Sequence, residues 1–209
     1  MVLGKTVRNP VNMALSGQNG LLISGYTPLK AFTMVGNNLV PELSVSNLEN
    51  SLKFYCDILG FKIEFERAED RFAYLSFHGS ELMLEEDSGR QSPWNILPFD
   101  YPRGRGLNLS INCPDVDALV AKLNEARVPL QKEAENCWYR DNDILRGQRN
   151  FLVLDPDGYL LRFAQKLGTK PVEELGRGVE PCAARDAHFR SHPRAFRYTD
   201  LPWRGEASP

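Results

Sequence analysis

Three carboxylates and one guanidinium stand at positions that strand alternation turns away from the apolar side: Glu42, Glu81, Glu85 and Arg162. In "LVPELSV", Leu43 and Val45 take the core face, which leaves Val40, Glu42 and Ser44 on the other. In "SELMLEE", Leu82 and Leu84 go inward, and Glu81, Met83 and Glu85 oppose them. "GLNLSIN" sends Leu107, Leu109 and Ile111 to the core, with Gly106, Asn108 and Ser110 opposite. "YLLRFAQ" packs Tyr159, Leu161 and Phe163 and turns out Leu160, Arg162 and Ala164. Carboxylates converging on one concavity attract a cation, and any of them has the chemistry to pair with Arg162. Glu81 or Glu85 is also a candidate general base, although no His or Cys shares the cleft to assist it. The bland alternative is a solvated strand face holding one salt bridge.

Aromatic rings add a second kind of chemistry. "SPWNILPFDYPRGRG" carries Trp94, and "ENCWYRDND" carries Trp138 and Tyr139 beside Asp141 and Asp143. Planar cationic groups stack on such rings while nearby carboxylates supply charge. With Tyr74 of "RFAYLSFH", the expected ligand-binding set is Glu42, Ser44, Tyr74, Glu81, Met83, Glu85, Trp94, Asn108, Ser110, Trp138, Tyr139 and Arg162. No catalytic residue is assigned.

The elements that hold these residues occur twice in the same order. A strand at "LVPELSVS" is followed by a helical period in "NLENSLKFYCDILGF", opened by Asn47 and closed by Gly60. Then come "FKIEFERA", "RFAYLSFH" and "SELMLEE". The second set is "GLNLSIN", the helix "DVDALVAKLNEARV", and the strands "PLQKEAE", "RNFLVLD" and "YLLRFAQ". "LSVSNLENSL" parallels "LSINCPDVDAL", and "FHGSELML" parallels "LDPDGYLLRF", a pattern of duplication. The expectation is an α+β fold. Two βαβββ modules form curved mixed sheets around a concave cleft, with helices on the outer face. The modules span 39–88 and 106–166 of a domain at 39–166, between an N-terminal extension at 1–38 and a C-terminal one at 167–209.

Composition bounds the function. The chain has 209 residues, of which 42% are hydrophobic, so a sizeable core is possible. No apolar run approaches the roughly 18 residues of a membrane span. Residues 39–165 carry 14 basic and 21 acidic side chains, a net of −7 within a chain whose total is −2. An acidic centre disfavours nucleic acid and favours a cationic ligand. The four cysteines form no CxxC pair, so free thiols in a reducing cytoplasm are expected.

Through "LSVSNLENSLKFYCDILGFKI", "GSELMLEE" and "DPDGYLLRF" the chain resembles the vicinal oxygen chelate superfamily of glyoxalases, extradiol dioxygenases and bleomycin resistance proteins. Metal-dependent members of that family place His or Glu at one cleft position on each of four strands. The matching positions here are Val40, Met83, Gly106 and Arg162, none an oxygen or imidazole ligand. No metal or other cofactor is therefore expected. The bleomycin resistance branch resembles the chain best, in its "VP" strand, its acidic groove and the motifs "ELMLEE" and "DPDGYLLRFAQ". That resemblance implies a non-catalytic homodimer that sequesters a cationic glycopeptide antibiotic in grooves shared between subunits. The long flanks and the loop at 87–105 depart from the family pattern. An enzyme of the same superfamily, a lyase, isomerase or dioxygenase-like protein, is the alternative.

Overall fold

Asn47 and Asp115 start the two helices in the same way. Each has extended backbone, and each turns a side-chain oxygen back onto an otherwise unpaired N–H of the first turn: Asn47 Oδ1 accepts from the Asn50 N–H at 2.8 Å, and Asp115 Oδ1 from that of Ala118 at 3.0 Å. The first helix, α1, is α-helical over Leu48–Leu52 and continues as a π-helix over Lys53–Ile58. Gly60, at φ +86°, lets the chain turn away after it, where a Cβ would be strained. The second helix, α2, spans Val116–Glu125. These features belong to a computed structural model that describes residues 37–90 and 93–176.

The fold is α+β, with two βαβββ modules. The first contains β1 (Glu42–Val45), α1, β2 (Lys62–Arg67), β3 (Phe72–Phe77) and β4 (Ser80–Glu86). The second contains β5 (Asn108–Asn112), α2, β6 (Leu130–Asp141), β7 (Ile144–Leu154) and β8 (Leu160–Pro171). Each makes a four-stranded mixed sheet, ordered β1-β4-β3-β2 in one and β5-β8-β7-β6 in the other. The first strand pairs parallel with the last in both sheets, and so β1 and β5 are edge strands.

The expected inward residues form the core. Leu43, Val45, Leu82 and Leu84 are buried, as are Ile111, Leu161 and Phe163. Both sheets carry their helices on this apolar face, and both faces contribute to one cluster with Phe54, Tyr55, Val116, Leu119 and Leu123. Phe77 of β3 meets Phe163 of β8 edge-on at 5.8 Å, so the two helix-bearing faces pack against each other. Fully burying each such side chain contributes about 1.5–3 kcal/mol. Among the described residues, no helix packs on the polar face of either sheet.

Several local expectations need correction. Leu107, expected in the core, is 45% exposed, because β5 begins only at Asn108. "ENCWYRDND", expected as a loop, is strand as far as Asp141 and turns at Asn142, whose φ is +54°. The paired ends of β6 and β7 mix Cys137, Trp138, Tyr139 and Leu145 with Arg140, Asp141 and Arg146, so no clean apolar alternation announces them. Cys56 and Cys113 are free thiols, but Cys137 is disulfide-bonded, contrary to the expectation of free cysteines throughout. The extensions expected at 1–38 and 167–209 fall almost wholly outside the described residues; β8 itself runs on to Pro171.

Candidate functional site

The first polar face gathers charge around a cavity of about 280 Å³. β1 supplies Glu42 and Ser44, β4 supplies Glu85 and Glu86, the β2–β3 connection supplies Glu69, Asp70 and Arg71, and the segment after β4 supplies Asp87, Ser88, Trp94 and Asn95. Six of these residues are carboxylates and one is a guanidinium. Arg71 is held by Glu86, with Nη2 to Oε2 at 2.5 Å, and Arg67 outside the cavity is held by Asp70 at 2.7 Å. Burial pushes the Glu86 carboxyl up, but the hydrogen bonds from Arg71 and from the Leu48 N–H hold it below the ordinary value. Glu42 moves the other way. Its carboxyl is raised by burial first and by Glu85 beside it second, with Arg67 opposing. Two carboxyl groups thus share one side of the cavity, an arrangement that an incoming cation relieves.

Other expected contacts lie around this cavity or away from it. Tyr74 is buried beside Phe65, and its hydroxyl donates to Glu81 Oε2 at 3.1 Å. Burial, then the Glu81 hydrogen bond, raises the Tyr74 phenol. Glu81 also accepts from the Asn37 N–H at 2.6 Å, which makes it a local brace and not a cavity wall. Met83, half-buried, lies in register between Glu42 and Tyr74. Trp94 stands at the cavity rim, 81% exposed.

The second module's candidates are not brought to this cavity. Asn108 and Ser110 are exposed on β5, and Arg162 is half-buried on β8 directly across from Ser110. The expected ion pair between Arg162 and Glu42, Glu81 or Glu85 does not form. Those carboxylates belong to the other sheet, and the two sheets meet through their opposite faces. Trp138 is engaged within its own hairpin arm: Lys170 Nζ lies 4.6 Å from the ring centroid, and a Cβ on Gly147 would come within 2.6 Å of the ring. Tyr139 accepts a long hydrogen bond from Asn150 Nδ2 at 3.4 Å.

Sequence reasoning missed the residues that join the modules. The turn "DPDG" reads as a surface hairpin, yet Asp155 is wholly buried and Asp157 is 4% exposed. Asp155 accepts from the Tyr55 hydroxyl at 2.9 Å and from the N–H groups of Asp157 and Tyr159. Asp157 accepts from the Ser46 N–H at 3.0 Å and faces Arg103 Nε at 3.4 Å. Arg103 completes the clasp by donating to the Ser44 carbonyl at 2.9 Å and to Asp87 Oδ2 at 2.6 Å. The repeat offered one clue, since this turn stands where "FHGS" stands in the first module, with carboxylates in place of neutral residues. Ser44 therefore supports the floor through its carbonyl, which also accepts from the Tyr159 hydroxyl at 3.1 Å.

The donor set at Val40, Met83, Gly106 and Arg162 does not fit a divalent metal: two aliphatic positions, one thioether and one fixed positive charge supply no hard or borderline ligand. Among the described residues no group of three or more His, Cys, Asp or Glu is arranged to hold a metal ion. Nor is any helix among them long and apolar enough to cross a membrane.

Comparison with known proteins places this geometry in context. Residues 37–163 match the family model described as the glyoxalase/bleomycin resistance protein/dioxygenase superfamily. A bleomycin resistance protein from Geobacillus stearothermophilus is 28% identical over 139 residues, covering 61% of this chain and 96% of the relative. A lactoylglutathione lyase from Pseudomonas putida is 26% identical over 151 residues, covering 59% of this chain and 81% of the relative. A solved superfamily member from Vibrio splendidus 12B01 is 32% identical, with 61% of this chain and 97% of that one covered and a TM-score of 0.30.

Proposed function

The chain belongs to the glyoxalase/bleomycin resistance protein/dioxygenase superfamily, and from that premise we propose a non-catalytic binding protein that sequesters a cationic ligand of the bleomycin type. The observation that carries the reading is the cavity on the first module, where six carboxylates outnumber one guanidinium and the exposed Trp94 stands at the rim. A cation entering there meets the adjacent Glu42 and Glu85 carboxyls and the exposed Trp94 ring, on which a planar group stacks. The binding unit is residues 39–166. It works as a homodimer, a reading supported by β1 and β5, which leave an edge unpaired among the described strands, and by polar faces that neither described module covers for the other. No nucleic acid or membrane enters the mechanism. The cytoplasmic location belongs to the same reading, and Cys56 and Cys113 are free thiols among the described residues.

A second reading, an enzyme of the superfamily, is favoured by the adjacent Glu42 and Glu85 carboxyls and by the similarity to a lactoylglutathione lyase. A carboxyl raised above its ordinary value is poised to exchange protons nearer neutrality. It lacks an electrophilic partner in the cavity other than Arg71, which Glu86 already occupies.

The test is fluorescence titration with metal-free bleomycin across ionic strengths, with sedimentation to count subunits. Attraction between exposed charges is screened over about 10 Å at 0.1 M salt. Glu85→Gln should therefore weaken binding mainly at low salt. Trp94→Ala should weaken it at every salt concentration, by about tenfold or more, since stacking is not screened. No saturable binding at low salt, together with a monomer in sedimentation, would refute the sequestration reading and leave the enzyme as the working one.

A further inference from the structure

On the polar face of the second module, Arg162 is a permanent cation without a counterpart among the described residues. Its Nε is shut off from solvent and has no acceptor, although the residue as a whole remains partly exposed. A guanidinium does not shed its proton to escape this situation. A charged N–H withdrawn from water and left unbonded is costly, and native proteins seldom keep one without an occupant for it.

The surroundings are those of a binding point. Ser110 lies directly across from Arg162 on β5, and Leu152 lies across from it on β7, so the guanidinium stem runs between a hydroxyl and an apolar wall. Asn108, two residues along β5 and on the same face as Ser110, adds an amide. Both β5 residues are exposed, and β5 is an edge strand, so the approach is open from that side. The next cation on this face, Lys132 across from Leu152, is already paired with Glu135. Arg162 has no ion-pair partner among the described residues.

We propose that Arg162 anchors an oxyanion site on the second module, which takes the carboxylate or phosphate group of a small-molecule ligand. The fork of guanidinium N–H groups matches two oxygens of such a group, and the Ser110 hydroxyl and Asn108 amide donate to the remaining lone pairs. A cation is excluded from this point by like charge. The site lies on the other module from the acidic cavity and does not rest on the sequestration reading. If one ligand were to span both, it would carry a cationic and an anionic group together.

The experiment follows the arginine side-chain Nε–H signals of the full-length protein by NMR during titration with inorganic phosphate and, separately, with benzoate, using sodium chloride as the ionic-strength control. One signal, identified by its absence in Arg162→Lys, should move saturably with phosphate or benzoate and not with chloride. The Ser110 amide should move with it. Arg162→Gln should abolish saturation at the Ser110 amide. Circular dichroism of both variants checks that the fold is retained, and Arg162→Lys keeps the charge should the glutamine variant fail to fold. A shift equal to that in chloride would mean that the side chain merely lies along the strand, and would overturn the proposal. So would a signal indifferent to added anions but dependent on protein concentration and lost in Glu42→Gln, because a second copy's carboxylate would then be the occupant.

Discussion

Arg103→Met should destabilise the protein by about 3 kcal/mol, read as a lowered urea midpoint at unchanged slope. The guanidinium is only 11% exposed and joins three partners that are distant in sequence: the Ser44 carbonyl and Asp87 on the first-module side, and Asp157 on the second. Methionine fills similar volume and removes every donor, leaving Asp157, whose side chain is 5% exposed, as an uncompensated charge. Removing one partner of a buried pair is the expensive case, because the survivor keeps its desolvation penalty. The double variant Arg103→Met with Asp157→Asn should consequently lose less than the sum of the two single changes. A loss below about 0.5 kcal/mol for Arg103→Met would place it among ordinary surface changes and show that the clasp contributes nothing.

The second large effect is expected at Asp155 and has the opposite sign. Its carboxyl is pushed up to about 7, by burial first and by the neighbouring Asp157 charge second, against the N–H groups of Tyr159 and Asp157 and the Tyr55 hydroxyl that favour ionisation. The unfolded chain releases this proton near pH 3.8, whereas the folded protein keeps it until near 7. The associated stability is therefore fully present below about pH 4 and is lost as pH rises through about 7. Asp155→Asn stays neutral at every pH. Its Oδ1 still accepts the two backbone N–H bonds, and its amide faces the Tyr55 hydroxyl oxygen. The variant should be more stable than the parent above pH 7, with an upper bound of about 4 kcal/mol, and the gap should close toward pH 4. Comparing parent and variant cancels carboxylates such as Glu86, whose lowered value gives the reverse slope. A gap that stays constant across pH 4–8 would show that Asp155 does not titrate between the two states in this range.

Much of the fold is legible residue by residue because its cause is local. Leu43 and Val45, or Leu161 and Phe163, bury on one side because a strand turns alternate side chains to opposite faces. Asn47 caps α1 because a short side-chain oxygen reaches an orphan N–H within three residues. The same local rules place Glu42, Ser44 and Glu85 together on one face of one sheet, so half of the acidic cavity is legible in the sequence. Its other walls, Glu69 to Arg71 and Asp87 to Asn95, come from connections whose path no periodicity encodes.

What alternation cannot state is which of a module's two faces meets the other module. The sequence by itself determined two duplicated βαβββ units, an acidic first polar face, and an arginine on the polar face of the last strand. Only the tertiary structure decided that the helix-bearing faces pack together through Phe77 and Phe163, which leaves Arg162 without the glutamates expected to pair with it. It also decided that Trp138 is covered by Lys170, 32 positions away, and that the acids of "DPDG" face inward to Tyr55, Ser46 and Arg103. The physical reason is common to all three. A side chain's face is set by backbone geometry within a few residues, whereas its partner is set by how whole sheets pack, where many buried apolar contacts outweigh the preference of any single charge.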